Sequence, residues 1–156
     1  MTDPRRQIDH LLNESMMHFI MIHRAEVEKL FTKIPFPYYV ELERIGRNFT
    51  PIDSEKKIYL KDIAAKRNVP MPYVSQMVKS LNDRGYVYWT HDGRGEEGTY
   101  IRFPEEVLDM IKEQDEIVRS FYRHVADKYG YENLTDLLGK FTELQKVVKK
   151  EMRSYQ

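Results

Sequence analysis

The chain contains no cysteine. That excludes disulfides, cysteine-ligated metals, thiol nucleophiles and thiol-based redox sensing together. No apolar run approaches the ~18 residues that a membrane-spanning helix needs. The first ten residues, MTDPRRQIDH, lack the apolar stretch of a signal peptide, which points to the cytoplasm and to no membrane partner. Net charge is also absent, because 25 Lys and Arg balance 25 Asp and Glu. There is no phosphate-binding loop, no GxSxG and no HExxH. The acid pairs Glu96-Glu97 and Glu105-Glu106 are sequence neighbours, accounted for by a loop and by a helix N-terminus. No catalytic residue and no cofactor is expected. Of the five histidines, none stands four residues from another, so no metal site is expected either.

What is present is a soluble-protein composition, 41% hydrophobic and 32% charged over 156 residues, with no internal repeat or low-complexity segment. The length suits one domain, or one small module with helical extensions. Charge is distributed unevenly. Between Glu55 and Phe103 nine Lys and Arg face six Asp and Glu, whereas the segments on either side carry a slight acidic excess. Any nucleic-acid affinity would therefore concentrate in this central stretch, and would depend on docking geometry more than on bulk charge.

Taken in order, residues 5–33 predict a long amphipathic helix, with Ile8, Leu11, Leu12, Met16, Phe19, Ile20, Val27, Leu30 and Phe31 at helical spacing. Pro35 and Pro37 stop it, and Pro37 opens a second helix running to about Asn48. Ile58-Tyr59-Leu60 is short and β-prone, suited to the edge of a small sheet. A brief helix over Asp62–Arg67 is broken by Asn68 and Pro70, and the next spans Met71 to Arg84, ended by Gly85. Two β-prone runs, Tyr86–Thr90 and Thr99–Phe103, flank the polar, Gly-rich segment His91–Gly98. Pro104-Glu105-Glu106 begins a long helix to about Tyr129, which Gly130 terminates, and Asn133 is placed to cap a last helix.

Helix, tight turn, helix and a hairpin with a long tip make a winged helix-turn-helix. The fold class expected is mainly α with a small β-hairpin wing, the winged module flanked by N- and C-terminal dimerisation helices. The boundaries are 1–54 for the N-terminal helices, 55–103 for the DNA-binding module and 104–156 for the C-terminal helices. In Met71–Arg84 the residues Val74, Met77, Val78 and Leu81 form one apolar face, leaving Tyr73, Ser75, Gln76, Lys79 and Asn82 opposite. A major groove about 12 Å wide admits one helix, whose exposed side chains meet base edges. Gln76 suits adenine, Lys79 guanine or phosphate, Ser75 either a base or a phosphate, and Tyr73 a sugar or a thymine methyl. Arg94, between Gly93 and Gly95 at the wing tip, can reach a narrow minor groove. Lys56, Lys57, Lys61 and Arg67 are candidates for backbone phosphates. A module of this size cannot cover three long amphipathic helices, so a second copy of the chain is the expected partner.

These residues resemble the MarR family of bacterial transcriptional regulators, which includes the SlyA-like proteins. The similarity rests on the element order and most of all on Val69 to Val87. There Val74-Ser75, Met77-Val78, Leu81 and Arg84-Gly85-Tyr86-Val87 look like the family's recognition-helix pattern. Leu60-Lys61-Asp62-Ile63-Ala64 resembles the entry helix, and Asp92-Gly93-Arg94 the acidic-basic pair of the wing. The resemblance implies a homodimeric regulator of double-stranded DNA, a repressor released from a pseudo-palindromic operator by an effector. It also implies a small aromatic effector where the N-terminal helices meet the DNA module, for which Met17, Met21, Phe36, Tyr38 and Tyr39 are candidates. The neutral charge and the acidic Glu96-Glu97 pair leave a second reading, a winged-helix protein-interaction module that has lost DNA binding.

Overall fold

A computed structural model describes residues 23–93 and 95–155. The chain divides into two compact units, Met1–Asp115 and Glu116–Gln156. In order, the elements are α1 (Phe36–Asn48), β1 (Ile58–Tyr59), α2 (Leu60–Arg67), α3 (Met71–Asp83), β2 (Tyr88–His91), a 3-10 turn (Gly95–Gly98), β3 (Thr99–Arg102), α4 (Glu105–Tyr129) and α5 (Tyr131–Ser154). The expectation of a mainly helical chain with a small β wing holds.

Most of the long first helix expected over 5–33 lies outside the described residues. Within them it ends at residue 28 rather than 33. The amides of Lys29, Leu30 and Phe31 turn to carbonyls three residues back, tightening the last turn. What then holds the chain is tertiary. Gln114, fully buried on α4, donates from Nε2 to the Leu30 carbonyl at 2.8 Å. Its Oε1 accepts from the amides of Lys33 and Ile34 at 3.0 and 3.3 Å. A buried amide side chain thus satisfies one carbonyl and two amides in the segment just after the helix. Ile34, just beyond, is fully buried in the core.

Proline places α1, since the amides of Tyr38 and Tyr39 both close onto the Pro35 carbonyl. Its Leu42 and Ile45 are buried. β1 runs directly into α2, whose Leu60, Ile63 and Ala64 face inward. Asn68 ends α2 in the left-handed conformation, φ 51. Its own amide bonds Ala65 O, and the Val69 amide bonds Ala64 O. That pattern is a Schellman cap, in which Asn replaces the usual glycine because its short polar side chain tolerates positive φ. Pro70 then forbids continuation and leads into α3. The same closure recurs at the end of α3: Gly85 at φ 78 bonds Asn82 O, and the Tyr86 amide bonds Leu81 O.

The sheet has three antiparallel strands in the order β1-β3-β2. Ile58 pairs with Ile101 and Tyr59 with Tyr100, and Trp89 lies opposite Ile101 from the other side. The expected β-run over Tyr86–Thr90 is displaced, because Tyr86 is held in the Schellman closure and Val87 turns into the core. The core joins Ile34, Leu42, Ile45, Ile58, Leu60, Ile63, Val74, Val78, Leu81, Val87, Ile101, Phe103 and Val107. Each such side chain contributes about 1.5–3 kcal/mol on burial.

The second unit holds the rest of α4 and all of α5, joined at Gly130 with φ 94. Asn133 does not cap α5 as expected. Its Nδ2 points backward and donates to the Tyr129 carbonyl at 2.9 Å, closing the end of α4. α5 contains no buried residue, and Leu137, Leu138, Phe141, Leu144, Val147 and Val148 are all exposed at helical spacing.

Candidate nucleic-acid interface

α3 is amphipathic in the sense that a groove-binding helix requires. Val74, Val78 and Leu81 anchor it, while Tyr73, Gln76 and Lys79 project from the far side. Tyr73 is 46% exposed and its ring meets the Arg67 guanidinium at 5.5 Å. Lys79 Nζ lies 2.7 Å from Asp83 Oδ2, one turn on. Both groups are well exposed, so a competing phosphate can exchange for the carboxylate at little cost. Ser75 is half-buried and differs from its neighbours. It lines a cleft shared with Leu60, Met71, Pro72, Trp89 and Thr99. Asn82, also on the polar side of α3, serves the fold instead. Its Oδ1 accepts from the Trp89 amide at 3.2 Å and fixes β2 to α3.

Of the cations expected at phosphates, two face solvent. Lys57 stands 4.9 Å over the Tyr100 ring and Lys61 5.9 Å from the Tyr59 ring, both exposed. Lys56 is engaged internally, its Nζ donating to the carbonyl of Phe49 and, at 3.0 Å, to that of Pro51. It staples the loop after α1. Arg67 is engaged internally as well. Its side chain is only 8% exposed, and Nη1 donates to Glu41 Oε2 at 2.6 Å and contacts Met77 Sδ at 3.0 Å. Burial by itself would lower its pKa. The hydrogen bond and charge of Glu41, with smaller help from Tyr73, outweigh that and hold it above its ordinary value. Its Nη1 is thereby committed to contacts within the protein. Arg94 lies outside the described residues.

The wing has features that the sequence pattern does not reveal. Tyr88 and Trp89 are exposed on the edge strand β2, at 53% and 37%. The signal is present in the Tyr-Val-Tyr-Trp run, but strand register decides which of these aromatics turn outward. The tip is braced from inside, with Tyr59 Oη 3.1 Å from Asp92 Oδ2 and the Asp92 amide bonded to Gly98 O at 3.0 Å.

No family model and no curated protein matches the chain. Solved structures do. MarR from Staphylococcus aureus, solved with salicylate and kanamycin, is 14% identical with a TM-score of 0.63, covering 93% of this chain and 97% of that one. The PcaV transcriptional regulator from Streptomyces coelicolor is 11% identical with a TM-score of 0.64, covering 96% and 99%. FabT from Streptococcus pneumoniae, solved with DNA, is 11% identical with a TM-score of 0.61, covering 94% and 98%. The fold is the MarR fold.

Within this MarR fold, the described effector candidates Phe36, Tyr38 and Tyr39 do not all line the same cleft. Met17 and Met21 lie outside the described residues. Phe36 lines an open cleft of about 610 Å³ with His23, Arg24, Val27, Glu28, Pro37, Val40 and Glu41. Tyr38 and Tyr39 do not line it. Tyr38 packs on Tyr86 with Arg84 stacked 4.4 Å from its ring, and Tyr39 Oη lies 2.6 Å from Asp115 Oδ1. Both tyrosines hold α1 in place.

Proposed function

We propose that the chain is a DNA-binding transcriptional regulator of the MarR type. In this reading it acts in the cytoplasm as a homodimer, and as a repressor that a small-molecule effector releases from a pseudo-palindromic operator. The observation that carries the proposal is α3 itself. A helix anchored by Val74, Val78 and Leu81 presents Tyr73, Gln76 and Lys79 together, beside a three-stranded wing. FabT, with the same fold, was solved with DNA. Gln76 and Lys79 take base edges, Tyr73 a sugar or a thymine methyl, and Arg94 the minor groove. Lys57 and Lys61 take phosphates.

In this reading residues 55–103 are the DNA-binding module, with dimerisation helices on either side at 1–54 and 104–156. The exposed apolar stripe of α5 supports the homodimer. Six large hydrophobic side chains along one helix exceed what a monomer leaves in water, and a two-fold copy offers the matching stripe. Two copies of α3 then reach successive major grooves about 34 Å apart, which makes the operator a pseudo-palindrome. An effector releases the DNA if it prefers a dimer in which that spacing is wrong. The MarR structure with salicylate supports an aromatic effector. The cleft lined by Phe36, with apolar walls at Val27, Pro37 and Val40, is where we place it.

Selection of bound fragments from genomic DNA, followed by footprinting, tests the reading. A protected, two-fold-related pair of half-sites one helical turn apart is expected. Recovery of no fragment above background contradicts it.

A further inference from the structure

Between α3 and the wing runs a cleft of about 370 Å³, lined by Leu60, Met71, Pro72, Ser75, Trp89 and Thr99. We propose that this cleft seats the sugar–phosphate strand that divides the major groove from the minor groove. The indole N–H of Trp89 and the hydroxyl of Ser75 donate to its phosphate oxygens. The inference rests on the DNA-binding reading above.

Register explains why a tryptophan stands there. Trp89 is directly opposite Ile101, and directly opposed residues share a face of the sheet. Ile101 and its other neighbour Ile58 are sealed in the core. Thr99 and His91, paired with each other two residues further along, lie on that same face. The core-facing side of the wing therefore runs on past the core and overhangs the start of α3. At the overhang the indole is left 37% exposed. A tryptophan normally finds a partner for its N–H when it packs, and the indole is a donor only. Among the described residues the indole N–H makes no hydrogen bond, the one bond of Trp89 to a side chain being from its backbone amide.

The opposite wall has the same character. α3 starts without a side-chain cap and with no acidic residue in its first turn, so the positive end of its dipole is left uncompensated beside the cleft. Ser75 adds a hydroxyl from one turn in. The bond from the Trp89 amide to Asn82 fixes the spacing between the two walls. Donors, a positive helix end and an apolar ring surface together suit a deoxyribose phosphate: an anion carrying an apolar sugar.

The geometry of a duplex makes the occupant specific. A helix fills a groove about 12 Å wide and a wing tip a groove about 6 Å wide, and only one phosphodiester strand separates the two. Any duplex that engages α3 and the wing at once must lay that strand across the surface between them. Contacts of this kind set register on the DNA and carry no sequence information.

Trp89 is the only tryptophan in the chain, so its emission reports on this cleft alone. The protein is titrated with sheared duplex DNA of random sequence while the anisotropy of a labelled duplex follows binding independently. The expected result is a change in Trp89 emission and a loss of acrylamide quenching, both in step with binding. Trp89→Phe keeps a ring in place but loses the donor. It should weaken binding about 5- to 30-fold, by the same factor for every sequence, with an unchanged circular dichroism spectrum. If DNA binds by anisotropy while emission, quenching and the affinity of Trp89→Phe stay unchanged, the cleft assignment is overturned and the DNA-binding reading survives. If no DNA binds by either signal, that reading fails and this inference fails with it.

Discussion

Glu41 Oε2 accepts from Arg67 Nη1 at 2.6 Å, joining the middle of α1 to the last turn of α2. Glu41 also lines the cleft assigned to an effector, while the Arg67 guanidinium touches Met77 and the ring of Tyr73 on α3. One ion pair therefore stands between that cleft and α3. Arg67→Ala leaves a mostly buried carboxylate unpaired and should cost about 2–4 kcal/mol, discounted from a fully buried pair because Glu41 keeps some solvent. Urea unfolding measures it, and a loss under about 0.5 kcal/mol, the range of a neutral surface change, would show the pair to be incidental. Arg67→Lys should recover little, since lysine lacks the planar guanidinium that meets the Tyr73 ring while Nη1 bonds Glu41.

The division of labour on the DNA face gives a second prediction. Gln76→Ala should flatten the preference between operator and random duplex, because the proposed role of Gln76 is to read base edges. Lys57→Ala should weaken both equally and reduce the salt slope by about one. Competition binding at several salt concentrations separates the two effects. Identical behaviour of the two variants would contradict the assignment.

Gln114 allows a test of the N-terminal junction. Gln114→Leu preserves volume but orphans the Leu30 carbonyl and the amides of Lys33 and Ile34. With one buried and two part-buried hydrogen bonds lost, a cost of about 2–4 kcal/mol is expected. Hydrogen exchange should show faster exchange at Lys33 and Ile34 specifically, and a uniform response across the chain would argue against a local role.

Much of this architecture was legible from local chemistry. Asn68, Pro70, Gly85 and Pro104 each act within a few residues of themselves, so the turn of the helix-turn-helix, the end of α3 and the start of α4 follow from the sequence pattern. The features that escaped it are set by partners far along the chain. Arg67 reads as a free cation until α1 brings Glu41 to it across 26 residues. Ile34 lies just past the expected helix end, and its buried amide finds its partner only in Gln114 of α4. Asn133 has the composition of an N-cap, yet the left-handed Gly130 before it turns its amide back toward Tyr129. In the candidate site the polar face of α3 was readable from its spacing. Trp89 was not, because exposure on β2 depends on register against β3.

The apolar stripe of α5 supplies a fourth prediction. Phe141→Asp combined with Leu144→Asp places two charges where the homodimer would bury the stripe, and should yield monomers by sedimentation velocity. Because a single recognition helix lacks the avidity of two, operator affinity should fall by roughly 100-fold or more. A variant that stays dimeric would move the interface elsewhere.

The central claim, that Lys57–Phe103 is a working DNA-binding module, is tested most directly by titrating labelled genomic fragments with the intact protein at low and at moderate salt. The account predicts a shift that saturates with two chains per duplex and weakens as salt rises. The absence of any salt-dependent shift at micromolar protein would contradict it.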